Sequence, residues 1–172
     1  MKISTYLFAL MVFGSVFQSP SAQSQEVKPG DLVISPAWCR AAPRGAEVAN
    51  CYLTVENKGA AADRLVGGST DVAEKVEIQQ ITMVGGAMSV NPVAAGLTIS
   101  PGDKVVLAPG GYFLGLEKLK SKLKKGTKVS ITLESEKAGK IPVSFDVLGA
   151  AAKGPAAPPK ASPDAASDGG KK

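Results

Sequence analysis

Glycine and proline punctuate this chain so often that no long amphipathic helix fits between them. Its 172 residues hold 19 glycines and 12 prolines. From Asp31 onward these separate short runs in which apolar and polar residues alternate. Cys51-Tyr52-Leu53-Thr54-Val55-Glu56 runs into the turn Asn57-Lys58-Gly59, and Lys75-Val76-Glu77-Ile78-Gln79 alternates strictly. Gly85-Gly86 precedes Ala87-Met88-Ser89-Val90, a hairpin signal. Lys104 to Leu107, Tyr112 to Leu116, Lys128 to Leu133 and Ile141 to Val147 complete the set. Alternation of period two places one apolar face on each run, and many such runs between turn residues predict an all-β antiparallel sandwich or barrel. No internal repeat is present.

The two cysteines fit that layout. Asp31 to Ser35 leads toward Trp38-Cys39, Cys51-Tyr52 begins the next run, and Pro43-Arg44-Gly45 lies midway between the cysteines. A hairpin turning about Gly45 sets positions 39 and 51 opposite each other. Directly opposed Cβ atoms stand about 4.5–5.5 Å apart, so a small adjustment reaches disulfide geometry. The favoured reading is a Cys39–Cys51 disulfide; two free thiols holding a soft cuprous ion are the alternative. The spacing is not that of a CxxC redox centre.

The N-terminus reads as an export signal. Lys2 supplies a positive charge, an apolar run extends to Phe17, and small residues around Ala22 to Ser24 offer a cleavage site. The run is short for a membrane span, which needs about 20 residues. Residues 1–24 are therefore expected to be a signal peptide, which makes the protein periplasmic or secreted, with no stable membrane insertion after cleavage. No cysteine follows the run, so a lipid anchor is not expected. Residues 151–172, built from Ala, Pro, Lys, Gly, Ser and Asp, bury too little apolar surface to offset chain entropy and are expected to be a disordered tail. That leaves residues 30–150 as one domain.

The formal charge of +5 is a weak guide to partners. Residues 30–150 hold 14 basic and 12 acidic side chains, too even a balance for a nucleic-acid-binding domain. The chain has no histidine, so no serine has the usual base to activate it. Asp31, Glu77 and Asp146 form no paired-carboxylate pattern, and no glycine-rich turn leads into a phosphate-cradling helix. An enzyme is not expected. Lysines 118, 120, 122, 124, 125 and 128, with Leu119 and Leu123 among them, are either a docking patch for an acidic partner or anionic headgroups, or a solvated connection between strands. The leucine spacing predicts one helical turn resting on the core.

Several phrases share an order and spacing with a known family. They are Trp38-x-Arg40-x-x-Pro43-x-Gly45, Tyr52-Leu53-Thr54-Val55-x-Asn57-Lys58-Gly59, Ala62-Asp63-Arg64-Leu65-Val66, Val76-Glu77-Ile78, Pro109-Gly110-Gly111-Tyr112 and Glu136-Lys137-Ala138-Gly139. Across the folded region the chain resembles the periplasmic copper chaperones of the PCu(A)C family. The resemblance implies a cupredoxin-like Greek-key β-sandwich or barrel, Cu(I) as cargo, and a periplasmic protein partner in copper handling or cytochrome oxidase assembly.

The resemblance also implies a ligand set of two histidines and two methionines, soft donors suited to Cu(I). Carried over by position, the histidine places fall on Gln79 and Phe113 and the methionine places on Val90 and Gly115. None of these is a soft donor, so the usual site is expected to be lost and no bound cofactor is expected. Met83 and Met88, with Gln79, remain as a poor two-thioether candidate. Tyr112 and Phe113 are a candidate interaction surface in the metal's place. Two functions compete: an exported copper-chaperone-family protein acting without its usual Cu(I) site, and a metal-free interaction module on the same scaffold.

Overall fold

A computed structural model describes residues 30–155; the expected signal peptide and residues 156–172 of the expected tail lie outside them. Ten strands follow in chain order: β1 (Leu32–Arg40), β2 (Val48–Asn57), β3 (Asp63–Ser69), β4 (Ala73–Val84), β5 (Ala87–Pro92), β6 (Leu97–Ile99), β7 (Lys104–Leu107), β8 (Tyr112–Leu119), β9 (Lys128–Ser135) and β10 (Gly139–Leu148). The fold is all-β. Seven strands, in the order β4-β8-β2-β1-β10-β9-β3, form a ring that closes where β3 meets β4. Strands β5, β6 and β7 extend β4, β3 and β2.

The period-two pattern sets the core. On β9 the side chains of Val129, Ile131 and Leu133 point inward, and on β10 those of Ile141, Val143, Phe145 and Val147 do. Strand β2 contributes Ala49, Cys51, Leu53 and Val55 to the same cluster. Two expectations are corrected. The sheet is not wholly antiparallel, because β1 and β10 run parallel, with Trp38 opposite Asp146. The helical turn expected at Leu119 and Leu123 is absent. Leu119 ends β8, and Leu123 makes an isolated bridge to Ala42 that buries its side chain in the core. The leucines do rest on the core, but through bridge pairing rather than helical spacing.

Closure rests on a glycine. Gly68 pairs with Val76 at the seam, and a Cβ on it would lie 2.7 Å from the Thr132 carbonyl oxygen. Backbone there cannot yield as a flexible side chain would. Gly68→Ala is expected to cost about 1–3 kcal/mol through this overpacking, read as a lower urea midpoint with an unchanged slope.

Two of the phrases that carry the resemblance have plain structural jobs. Buried Asn57 donates to the carbonyls of Ala61 (2.8 Å) and Ile99 (2.9 Å) and accepts from the Gly59 amide (2.9 Å). Buried Asp63 accepts from the amides of Arg64 (2.7 Å), Lys137 (2.9 Å) and Ala138 (3.0 Å), which ties β3 to the β9–β10 turn. Desolvation works to raise the Asp63 pKa, but the neighbouring Ser135 hydroxyl and these amides outweigh it and hold the pKa below its ordinary 3.8. A carboxyl with a depressed folded pKa adds stability above its unfolded pKa and loses it as pH falls through the folded value. Asp63→Asn is therefore expected to cost about 2–3 kcal/mol at neutral pH. The variant should also lose part of the stability change below about pH 3.8, measured by thermal melts across that range.

Candidate functional site

The outward faces of β5, β4, β8, β2 and β1 adjoin, and this surface gathers the positions singled out above. Gln79 on β4 stands directly opposite Phe113 on β8, and Glu77 stands opposite Gly115. Ile81 stands opposite Val90 on β5, which makes Val90 a diagonal neighbour of Gln79. By the alternation of strands, Gln79, Val90, Phe113 and Gly115 all share one face. Gln79 is the common neighbour: Phe113 stands directly opposite it, and Val90 and Gly115 are each diagonal to it, at separations of about 7–8 Å.

What fills the face is not a donor set. The Gln79 amide Nε2 donates to Glu117 Oε1 at 2.7 Å. Its carboxamide lies directly over Gly115, where a Cβ would fall 2.7 Å from Oε1. Phe113 is 4% exposed and belongs to a second apolar cluster with Trp38 and Tyr52, separate from the barrel core. The Trp38 and Tyr52 ring centres stand 4.5 Å apart, and those of Tyr52 and Phe113 6.5 Å apart. These separations favour aromatic contact. The Arg40 guanidinium lies 5.6 Å from the Tyr52 ring centre, within cation–π range. Strand β8 is consequently buried on both faces from Phe113 to Leu116.

The chain beyond β10 covers this cluster. Leu148 and Ala152 pack against it. Arg40 Nε donates to the Ala152 carbonyl at 3.0 Å, and the Ala152 amide closes a turn onto Gly149 at 2.9 Å. Residues 151–155, expected to belong to the tail, thus begin as a strap over the aromatic rings.

Two expected features are corrected by this geometry. Phe113 does not present an interaction surface, because Tyr52 and the cluster around it bury the ring; Tyr112 is only half-buried. Met83 and Met88 do form a directly opposed pair at the tip of the β4–β5 hairpin, 67% and 68% exposed. Gln79, however, lies four residues further down β4, about 13 Å away at the usual rise per residue, so it cannot complete a three-donor site with them. Among the described residues no three His, Cys, Asp or Glu side chains group to hold a metal ion.

The cysteines stand where the hairpin argument places them. Cys39 and Cys51 are register partners and form a disulfide, with Cα atoms 3.9 Å apart and neither side chain exposed. Their inward direction sends the adjacent Trp38 and Tyr52 outward, which builds the aromatic cluster. That consequence of alternation is legible in the sequence once the cysteines are paired. Arg40 stands in a phrase that carries the resemblance, but nothing in the sequence gives its role over the rings; Glu117 and Ala152 have no sequence signal of their own.

Comparison with known proteins agrees with this architecture. Residues 32–147 match the family model described as "Putative lipoprotein LpqE-like". The chain is 30% identical over 127 residues to "Putative lipoprotein Lxx21020" of Leifsonia xyli subsp. xyli, covering 74% of this chain and 75% of that protein. Among solved structures, the copper-bound PCuAC domain from PmoF2 superposes with a TM-score of 0.62 at 25% identity, over 73% of this chain and 98% of that domain. The Cu(I) form of DR1885 from Deinococcus radiodurans superposes with a TM-score of 0.50 at 26% identity, over 74% and 81% of the two chains.

Proposed function

The chain belongs to the LpqE-like family, and from that membership we propose an exported protein that takes part in copper handling by contact with other proteins, without holding Cu(I) at the family's ligand places. Its scaffold is that of the PCuAC copper chaperones, and two structures similar to it hold copper. That likeness supports the copper context.

One observation carries the contact reading. Gln79 is engaged with Glu117 and lies over Gly115, while Phe113 is buried under Tyr52. An amide oxygen is a poor Cu(I) ligand, and the side chains of Val90, Phe113 and Gly115 offer no lone pair, whereas soft thioether and imidazole donors select this ion. The residues present do not fit the metal.

Export is supported by the layout of residues 1–24 and by the lipoprotein names of the relatives. Both cysteines of this chain are spent on each other in the disulfide, so neither is free to carry an acyl chain. The mass of the protein recovered from the envelope or medium should correspond to cleavage between Ala22 and Ser24. A full-length chain confined to the cytoplasm would contradict export.

The role is tested by deleting the gene in the producing cell. Deletion is expected to lower cytochrome oxidase activity or envelope copper, and the native gene should restore it. The double variant Met83→Leu, Met88→Leu, which removes the exposed thioether pair, should restore it equally. An unchanged deletion strain would contradict copper handling and favour the metal-free interaction module.

A further inference from the structure

The opposite end of the barrel from the β4–β5 hairpin carries an open cleft of about 720 Å³ that the copper reading does not use. It lies between the Pro43-Arg44-Gly45 turn, at the tip of the disulfide-closed loop, and the segment from Lys118 to Lys122 that leaves β8. Arg44, Lys118, Lys120 and Lys122 line it together with Glu47 and Glu74. Lys118 is tied to Glu74 at 3.0 Å. Among the described residues Arg44, Lys120 and Lys122 have no ion-pair partner, so cations dominate the cleft even though the domain as a whole is nearly balanced.

Two further features belong to the same place. Lys118 has a φ of +52°, a left-handed conformation that non-glycine residues seldom adopt and that tends to persist at functional sites. It turns the chain so that the lysine segment leaves the sheet along the cleft. The lining is also partly apolar, with Pro43, Ala46 and Leu119 between the charges.

We propose that this cleft binds an extended acidic segment of a partner protein. Lys120 and Lys122, both exposed, line the cleft together with Arg44, so three cations without an ion-pair partner among the described residues face whatever occupies it. The apolar lining suits a polypeptide. Glu74 is held by Lys118, and Glu47 can accept a hydrogen bond from a backbone amide, a donor that a peptide has and a phosphate cluster lacks. Arg44 adds a fork-shaped donor suited to one carboxylate held in two hydrogen bonds. The proposal deepens the contact-based reading by giving the partner's chemistry. Its residues lie apart from the Gln79 face, so its failure would leave the copper-site result standing.

The test uses fluorescence anisotropy of a labelled peptide of alternating Glu and Ala, titrated with the purified chain at low and at physiological salt. Saturable, salt-weakened binding is expected. The triple variant Arg44→Glu, Lys120→Glu, Lys122→Glu should weaken it at least about tenfold. A charge-matched variant away from the cleft, Lys104→Glu, Lys137→Glu, Lys140→Glu, should change it less than about twofold. Circular dichroism establishes that both variants fold. Equal loss in the two variants would reduce the effect to net charge and overturn the proposal. No saturable peptide binding would overturn it too, as would binding of pyrophosphate or phosphatidylglycerol vesicles in place of the peptide.

Discussion

The quadruple variant Gln79→His, Val90→Met, Phe113→His, Gly115→Met is expected to bind Cu(I) at least about a thousandfold more tightly than the native chain. The four positions already share a face on three adjacent strands. The graft therefore changes donor chemistry around Gln79, which the other three positions adjoin. Its tightest contact is a Cβ at Gly115, and the atoms it meets are the Gln79 carboxamide that the first substitution removes. The imidazole at 113 inherits a pocket beside Tyr52 and loses apolar packing there. A loss of roughly 1–3 kcal/mol in stability should accompany the gain in affinity. A triple variant that keeps Phe113 should bind less tightly than the quadruple one, because the ring fills the space of a ligand. Competition against a chromogenic Cu(I) chelator reads all three proteins. Failure of the folded quadruple variant to bind would mean that the ligand places had been carried onto the wrong positions.

Removing the disulfide is expected to have the largest effect on stability. Cys39 and Cys51 close a loop with a sequence separation of 12 and are wholly buried. Chain-entropy loss for a loop of that length gives about 3 kcal/mol. Cys39→Ala, Cys51→Ala also leaves space in the core next to the hairpin that positions Trp38 and Tyr52. The total cost should therefore reach about 3–5 kcal/mol. Guanidinium unfolding of the double variant measures it, and a loss below about 1 kcal/mol would show that the loop holds its shape without the crosslink. The same substitution should loosen the strap, because Arg40, which donates to the Ala152 carbonyl, follows Cys39 directly.

What the sequence discloses follows the range over which each signal acts. Opposition of Cys39 and Cys51 needs only alternation and one turn, and both lie within a few residues. The inward faces of β9 and β10 are equally plain, because every second residue is large and apolar. The parallel pairing of β1 with β10 joins segments more than a hundred residues apart, and no local pattern encodes it. Closure at Gly68 depends on how near the Thr132 carbonyl comes, a distance without a sequence signature. Leu119 and Leu123 carry a helical spacing that tertiary pairing overrides, since the bridge to Ala42 buries Leu123 at lower cost than a one-turn helix could.

The site shows the same division. Outward parity of Phe113 can be derived, but its burial cannot, because the cover comes from β1, β2 and the strap beyond Leu148. A residue on the solvent side of a strand is exposed only if nothing else folds over it. Here Ala152 does, from a segment whose composition alone speaks for disorder. The Lys118 to Lys128 run is visible as charge, yet the arginine that faces its first three lysines across the cleft lies more than seventy residues earlier.

The most direct measurement on the central claim is a Cu(I) titration of the native chain against bicinchoninate under anaerobic conditions, with the disulfide intact. An emptied ligand face predicts that the chelator keeps the metal, with no protein-bound Cu(I) tighter than about micromolar. Stoichiometric binding well below that level, retained when Met83 and Met88 are replaced by leucine, would contradict it.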